Sequence, residues 1–212
     1  MQLLIVTAVT AEAKSIGQIG DALVIAGGIG RVNAAAATTE AILRQGPFDA
    51  VVSAGVGGAL PDSGLAVGDT VVASRCVYVE EGIVTRHGFA DLASIGLDLG
   101  DFAGNVVPVD AALLEQLAEI LPVGPIATVA TCSGTDDAAH IVRNRTGGIV
   151  EAMEGAAVVH AARRLRIPAI EVRTVSNRTG DREDQGWDLA GALTALGTAM
   201  GRITAHLRGL PD

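Results

Sequence analysis

The chain has 212 residues, 49% of them apolar, which is enough to bury one sizeable core and predicts a single domain over residues 1–212. Its 15 Lys and Arg against 24 Asp and Glu give a net charge of -9, which argues against a phosphate backbone, and so against nucleic acid, as a partner. No apolar run reaches the roughly 20 residues of a membrane helix, and the opening MQLLIVTA lacks a basic flank and a small-residue cleavage site. The expectation is a soluble, cytoplasmic protein with no membrane partner.

In chain order, LLIVTAV (3–9) reads as the first core strand, with Glu12 just beyond it, where a helix dipole favours a first-turn carboxylate. ALVIAGG (22–28) is a second strand, and 27-GGIGRVNAAAA-37 turns from it into an Ala-rich helix over Val32 to Leu43. Backbone N–H groups in such a turn can meet an anion or a ligand hydroxyl, although glycines that merely permit a tight bend explain it equally well. A dinucleotide site is disfavoured, because Asn33 stands where the third glycine of G-x-G-x-x-G belongs and AVVSAGV (50–56) ends without an acid for a ribose diol. No G-x-x-x-x-G-K-[ST] occurs, which removes a Walker-type site.

A second Gly turn is expected at 55-GVGGAL-60, and TVVAS (70–74) follows as a strand. Residues 80–106 show no periodicity. Asp110 should cap a helix with Leu113, Leu114, Leu117, Ile120 and Leu121 on one face. IATVAT (126–131), IVEAM (149–153) and AIEVRTVS (169–176) complete the strands, and the aperiodic 133–148 has room for one short helix. Trp187, Leu193, Leu196, Met200, Ile203 and Leu207 form one stripe of a long final helix, with Trp187 read as a packing residue. Alternating strands and helices specify an α/β domain whose strand-end loops share a crevice.

Cys76 and Cys132 are too far apart in sequence for a disulfide framework or a metal cluster and read as buried thiols. The four histidines have no ligand spacing, so neither a metal nor a cofactor is expected. Glu12, Glu154 and Arg173 instead place charge in apolar surroundings, and Asn177 ends the last strand on an amide. Each charge alone is most simply a structural ion pair; near strand ends and glycines, the set points to catalysis.

These residues resemble the nucleoside phosphorylase and nucleosidase superfamily, in its hydrolytic branch, and within it the futalosine hydrolases. The resemblance is carried by 8-AVTAEA-13, 27-GGIGRVNAA-35, 55-GVGGAL-60 with 67-VGD-69, 131-TCSGT-135, 153-MEGAA-157 and 173-RTVSNRTGDRE-183. It implies a three-layer α/β sandwich with a mixed, largely parallel central sheet flanked by helices. It also implies Glu12 as general base on water with Arg173 orienting that water, and Met153 and Glu154 on the ribose. Val56, Gly57, Ser133 and Gly134 would contact base and sugar. Asn177 falls where adenosine-directed relatives carry Asp.

An amide NH2 suits the 6-oxo acceptor of hypoxanthine, whereas a carboxylate suits the amino group of adenine. The expected substrate is therefore a 6-oxopurine nucleoside, futalosine by resemblance, cleaved by water to hypoxanthine and dehypoxanthinyl futalosine on an alternative route to menaquinone. The alternatives are a methylthioadenosine/S-adenosylhomocysteine or aminofutalosine nucleosidase and, in another class, a nucleoside sensor without turnover. By resemblance the chain forms a homodimer or a higher homo-oligomer. Arg86, His87, Arg143 and Arg145, in the aperiodic loops, read as solvated surface with a minority role at the 5' substituent.

Overall fold

Leu3–Thr7 forms β1, buried along its whole length, and its side chains divide by the period of a strand. Leu3 and Ile5 enter one core while Leu4 and Val6 enter the other, so a helical layer covers each face. In the computed structural model, which describes residues 1–209, β1 is followed by α1 (Thr10–Ile16), β2 (Leu23–Ala26), α2 (Arg31–Gln45), β3 (Ala50–Ala59) and β4 (Thr70–Tyr78). Next come a hairpin of β5 (Gly82–Thr85) and β6 (Gly88–Asp91), then β7 (Val106–Pro108), α3 (Ala111–Leu117) and β8 (Val123–Thr128). The chain continues through α4 (Asp136–Thr146), β9 (Val150–Ala152), α5 (Gly155–Arg164), β10 (Ala169–Arg178) and α6 (Leu189–Leu207).

Seven strands lie where the sequence predicts them, but the sheet departs from a flat sandwich layer. Parallel pairs join β1 to β2 and β3, β3 to β10, β4 to β8, and β8 to β9. Antiparallel pairs join β10 to β4, β3 to β9, and β4 to β7. Following β3, β10, β4, β8 and β9 returns to β3, so five strands close into a barrel-like ring, with β1 and β2 extending the sheet outside it. This corrects the three-layer expectation; the sheet is mixed. Closure needs curvature, and the register shifts within β10 and within β4 supply local kinks of the kind that bulges introduce.

The packing of α6 uses Ala192, Leu196, Met200, Ile203 and Leu207 at steps of three and four, against Leu113 and Leu117 of α3 and the β1, β3 and β10 strands. On the other face α2 and α5 contribute Ala34, Ala41 and Ala156 to Val159. Asp110 caps α3 by accepting a hydrogen bond from the Leu113 N–H at 3.0 Å.

Three local expectations change. Residues 55–59 continue β3 rather than turning, because Gly55, Gly57 and Gly58 have paired neighbours in β10. The aperiodic stretch 80–106 contains the β5–β6 hairpin and runs into β7, elements of only three or four residues that leave little periodicity to read. Trp187 precedes α6 instead of packing from it and is half exposed. Among the described residues no helix is long and apolar enough to cross a membrane.

Candidate active site

A cleft of about 500 Å³ opens where β3, β9 and β10 meet the loops after β1, β2 and β8. Eight of the nine residues expected at the site line it: Glu12, Val56, Gly57, Ser133, Gly134, Met153, Glu154 and Asn177. A larger groove of about 710 Å³ runs between α2 and α5, but its Glu40 and Arg44 pair with each other at 2.8 Å and no converging carboxylates line it.

Glu12 sits in the first turn of α1 and is 3% exposed. One carboxylate oxygen accepts from the Ala8 and Val9 N–H groups at 2.9 and 3.1 Å, the other from the Val56 N–H at 2.9 Å. Three backbone donors fix the orientation of this carboxylate and leave lone pairs for a water in the cleft. Gly55 allows the arrangement, since a side chain there would overlap the Glu12 carboxylate and the Arg173 guanidinium.

Arg173 is the ninth residue, and it lies beneath the cleft instead of facing it, 1% exposed. Its Nε donates to Glu171 Oε1 at 2.8 Å and its Nη2 to Ser53 Oγ at 3.2 Å, while Glu154 Oε2 lies 3.6 Å from Nη2. Burial opposes its charge, but Glu171, Glu154 and Glu12 together hold it more firmly protonated than an ordinary arginine. Arg173 therefore lies as a counter-charge beneath the cleft, between Glu171 and Glu154.

Glu154 precedes α5 and accepts from the Gly30 N–H at 3.0 Å. The Gly-rich turn after β2 therefore does meet an anion, the protein's own Glu154. Gly28 and Gly30 have φ of 98° and 89°, which only glycine adopts at ease.

Asn177 follows the register shift in β10. Its Nδ2 donates to the Arg178 carbonyl at 2.8 Å and its Oδ1 accepts from Ser176 Oγ at 2.8 Å. The carbonyl accepts only, which fixes the orientation of the amide and leaves one N–H of Nδ2 without a partner among the described residues.

Ser133 directs its N–H and hydroxyl to Glu151, at 2.8 and 2.6 Å, so contact with a ligand falls to its carbonyl or to Gly134. Glu151, Glu171, Arg182, Gln185 and Trp187 complete the neighbourhood and were missed in the sequence. Glu171 and Arg173 lie two apart in a strand, hence on one face, and that spacing was a readable sign of an ion pair. Gln185 donates to the Ser133 and Gly180 carbonyls, both at 2.9 Å, and accepts from Trp187 Nε1 and Arg182 Nη1. It thereby ties residues 180–187 across to the loop after β8.

Cys132 lines the cleft and is exposed, which corrects its reading as a buried thiol; Cys76 is buried. Partial burial and then the Glu151 and Glu154 carboxylates push the Cys132 thiol up, so it stays protonated and is a poor nucleophile. Arg86 and His87 are exposed on the hairpin turn, Arg143 donates to the Gly147 and Gly148 carbonyls, and Arg145 stacks 4.0 Å from the Phe89 ring centroid. None of the four lines the cleft, whose basic side chain, among the described residues, is Arg182. No group of three or more His, Cys, Asp or Glu among the described residues could hold a metal ion.

The chain matches the Phosphorylase superfamily over residues 12–210. It is 35% identical to a futalosine hydrolase from Streptomyces coelicolor over 86% of this chain and 78% of that protein. A futalosine hydrolase from Thermus thermophilus is 34% identical over 86% and 80% of the two chains. In structure it is similar to a putative 5'-methylthioadenosine/S-adenosylhomocysteine nucleosidase from Borrelia burgdorferi bound to adenine, with TM-score 0.80, 20% identity and coverage of 98% and 99%. A family match over nearly its whole length and relatives at about a third identity show that the chain belongs to the phosphorylase superfamily.

Proposed function

We propose that the protein is a purine nucleosidase that hydrolyses the N-glycosidic bond of a 6-oxopurine nucleoside, futalosine, to hypoxanthine and dehypoxanthinyl futalosine. On this reading it serves an alternative route to menaquinone. The observation that carries it is the charge of the cleft: Glu12, Glu151 and Glu154 face it against the single guanidinium of Arg182. Such a cleft repels phosphate and favours a sugar that gains positive charge as the bond to the base breaks.

In the mechanism, Glu12, its carboxylate held by the Ala8, Val9 and Val56 N–H groups, takes a proton from the attacking water. Glu154 accepts from the ribose hydroxyls and Met153 packs on the sugar; the negative charge of Glu154 counts for more as the sugar becomes cationic. Arg173 is a positioning residue, acting through Glu12 and Glu154. As the water oxygen bonds to C1' and the bond to nitrogen breaks, Asn177 donates its free N–H to the departing base, which leaves as a hydrogen-bonded 6-oxopurine anion and takes up a proton from solvent. Val56, Gly57 and Gly134 shape the cleft through their backbone.

We further propose that the active species is a homodimer or higher homo-oligomer. Val32 and Leu43 of α2, the latter at the groove between α2 and α5, are strongly exposed apolar residues of the kind that partner surfaces cover. Light scattering on the purified protein measures this directly.

The functional reading is tested by supplying futalosine, inosine and methylthioadenosine, each with and without phosphate, and following the free base. Phosphate-independent release of hypoxanthine from futalosine is the expected result. Obligatory phosphate overturns hydrolysis, adenine release from methylthioadenosine alone overturns the substrate, and tight binding without turnover overturns the enzyme.

A further inference from the structure

Glu151 is a buried carboxylate in the cleft for which the reaction described above has no use. Its place in the sheet is informative. Gly58 of β3 pairs with Glu151 of β9 on one side and with Asn177 of β10 on the other, so the three form one transverse row. Paired residues on adjacent strands project from the same face, and a side chain built at Gly58 would lie 3.3 Å from Asn177 Nδ2. All three line the cleft. Two strand spacings separate the outer pair, about 9–10 Å between their backbones. The missing side chain of Gly58 leaves the gap between carboxylate and amide open.

Ser133 donates to both oxygens of Glu151, through its N–H at 2.8 Å and its hydroxyl at 2.6 Å, and Gln185 holds the Ser133 carbonyl from behind at 2.9 Å. Both oxygens of Glu151 thus accept, and in its ionised form a carboxylate so held has spare lone pairs and cannot donate. A 6-oxopurine offers a hydrogen-bond donor at N1 beside the acceptor at O6; adenine offers an acceptor at N1 beside a donor. A carboxylate and an amide N–H facing one gap match the first pattern and oppose the second.

We infer that Glu151 is a specificity-determining residue that accepts the N1–H of the 6-oxopurine base while Asn177 donates to the same ring. This rests on the 6-oxopurine reading of the cleft and deepens it. Recognition then has two poles, and the adenine ring is rejected twice: its N1 lone pair faces a carboxylate, and its amino group faces an N–H. A site that buries hydrogen-bonding groups discriminates strongly because the wrong ligand leaves them unpaired.

The test is calorimetric binding of hypoxanthine, 1-methylhypoxanthine and adenine to the wild-type protein, Glu151→Gln and Glu151→Asp. Wild type is expected to prefer hypoxanthine over its 1-methyl derivative by roughly ten- to hundredfold, the scale of a hydrogen bond to a charged group. Glu151→Gln should erase most of that preference, whereas Glu151→Asp, which keeps a carboxylate, should retain part of it. A wild type that binds both hypoxanthines equally overturns the inference without any variant. A Glu151→Gln protein with the wild-type ratio also overturns it, leaving Glu151 as a strut for the Ser133 loop while the 6-oxopurine reading stands. Wild-type preference for adenine overturns the 6-oxopurine reading, and the role of Glu151 with it.

Discussion

Each polar group in the cleft is held by a second group behind it. Glu12 owes its position to three backbone donors, and Arg173 owes its charge to carboxylates it meets beneath the surface. If Glu12 is the general base, Glu12→Gln should lower kcat by about 100- to 10,000-fold with little change in KM, measured by free-base release. Arg173→Met should act on stability as well as rate. It strands Glu171, which is fully buried, at a cost of about 3–5 kcal/mol that thermal unfolding would register and that adding Glu171→Gln should partly recover. A third expectation follows from Glu151, whose carboxyl is pushed up by burial, with the Glu80 charge adding to the rise and the Ser133 hydrogen bonds opposing it. Protonation places an O–H where the N1–H needs an acceptor. KM for a 6-oxopurine substrate should therefore rise as pH falls through this raised pKa, and the extra rise should vanish in Glu151→Gln. Glu12, Glu154 and Arg173 were legible in the sequence because charge in an apolar run is conspicuous, whereas Val56, Gly57, Ser133, Gly134 and Met153 came only through the family resemblance. Glu151 and Gln185 were not: one looked like an ordinary strand-end acid, and the other lies in a polar loop whose bonds form only in three dimensions.

Among the elements, β3 is the one on which the site depends most. It is flanked by β1 and β10 at its start and by β10 and β9 at its end, and its glycines give room to the Glu12, Arg173 and Asn177 side chains. Gly55→Ala should overlap both Glu12 and Arg173, costing roughly 1–3 kcal/mol in stability, as overpacking does, and most of the activity. Retention of both by calorimetry and turnover would mean that this neighbourhood yields easily. The segment 180–187 depends on Gln185, so Gln185→Leu should raise KM more than it lowers kcat and speed hydrogen exchange in that segment and around Ser133. The long strands and the α6 stripe were readable from period alone. The extension of β3 through its glycines was not, because glycine carries no periodic signal and its pairing in β3 is decided by β10, more than a hundred residues away.

For the whole molecule, composition and alternation specify an α/β domain but leave the closure of the sheet open. The ring of β3, β10, β4, β8 and β9 arises from the antiparallel entries of β4 beside β10 and β9 beside β3, and short strands such as the three residues of β9 leave almost no trace in a sequence. Closure has a functional consequence, since it brings Glu151 on β9 and Asn177 on β10 to either side of β3. It also gathers three acidic side chains into a cleft with one cation, a field suited to water and to a cationic sugar. The central claim, hydrolysis in this cleft, is tested most directly by turning over futalosine in oxygen-18-labelled water with phosphate present and weighing the sugar product at early times. The account predicts one labelled oxygen in the sugar fragment, unlabelled hypoxanthine and a rate indifferent to phosphate. A sugar 1-phosphate, or no cleavage at all, would contradict it.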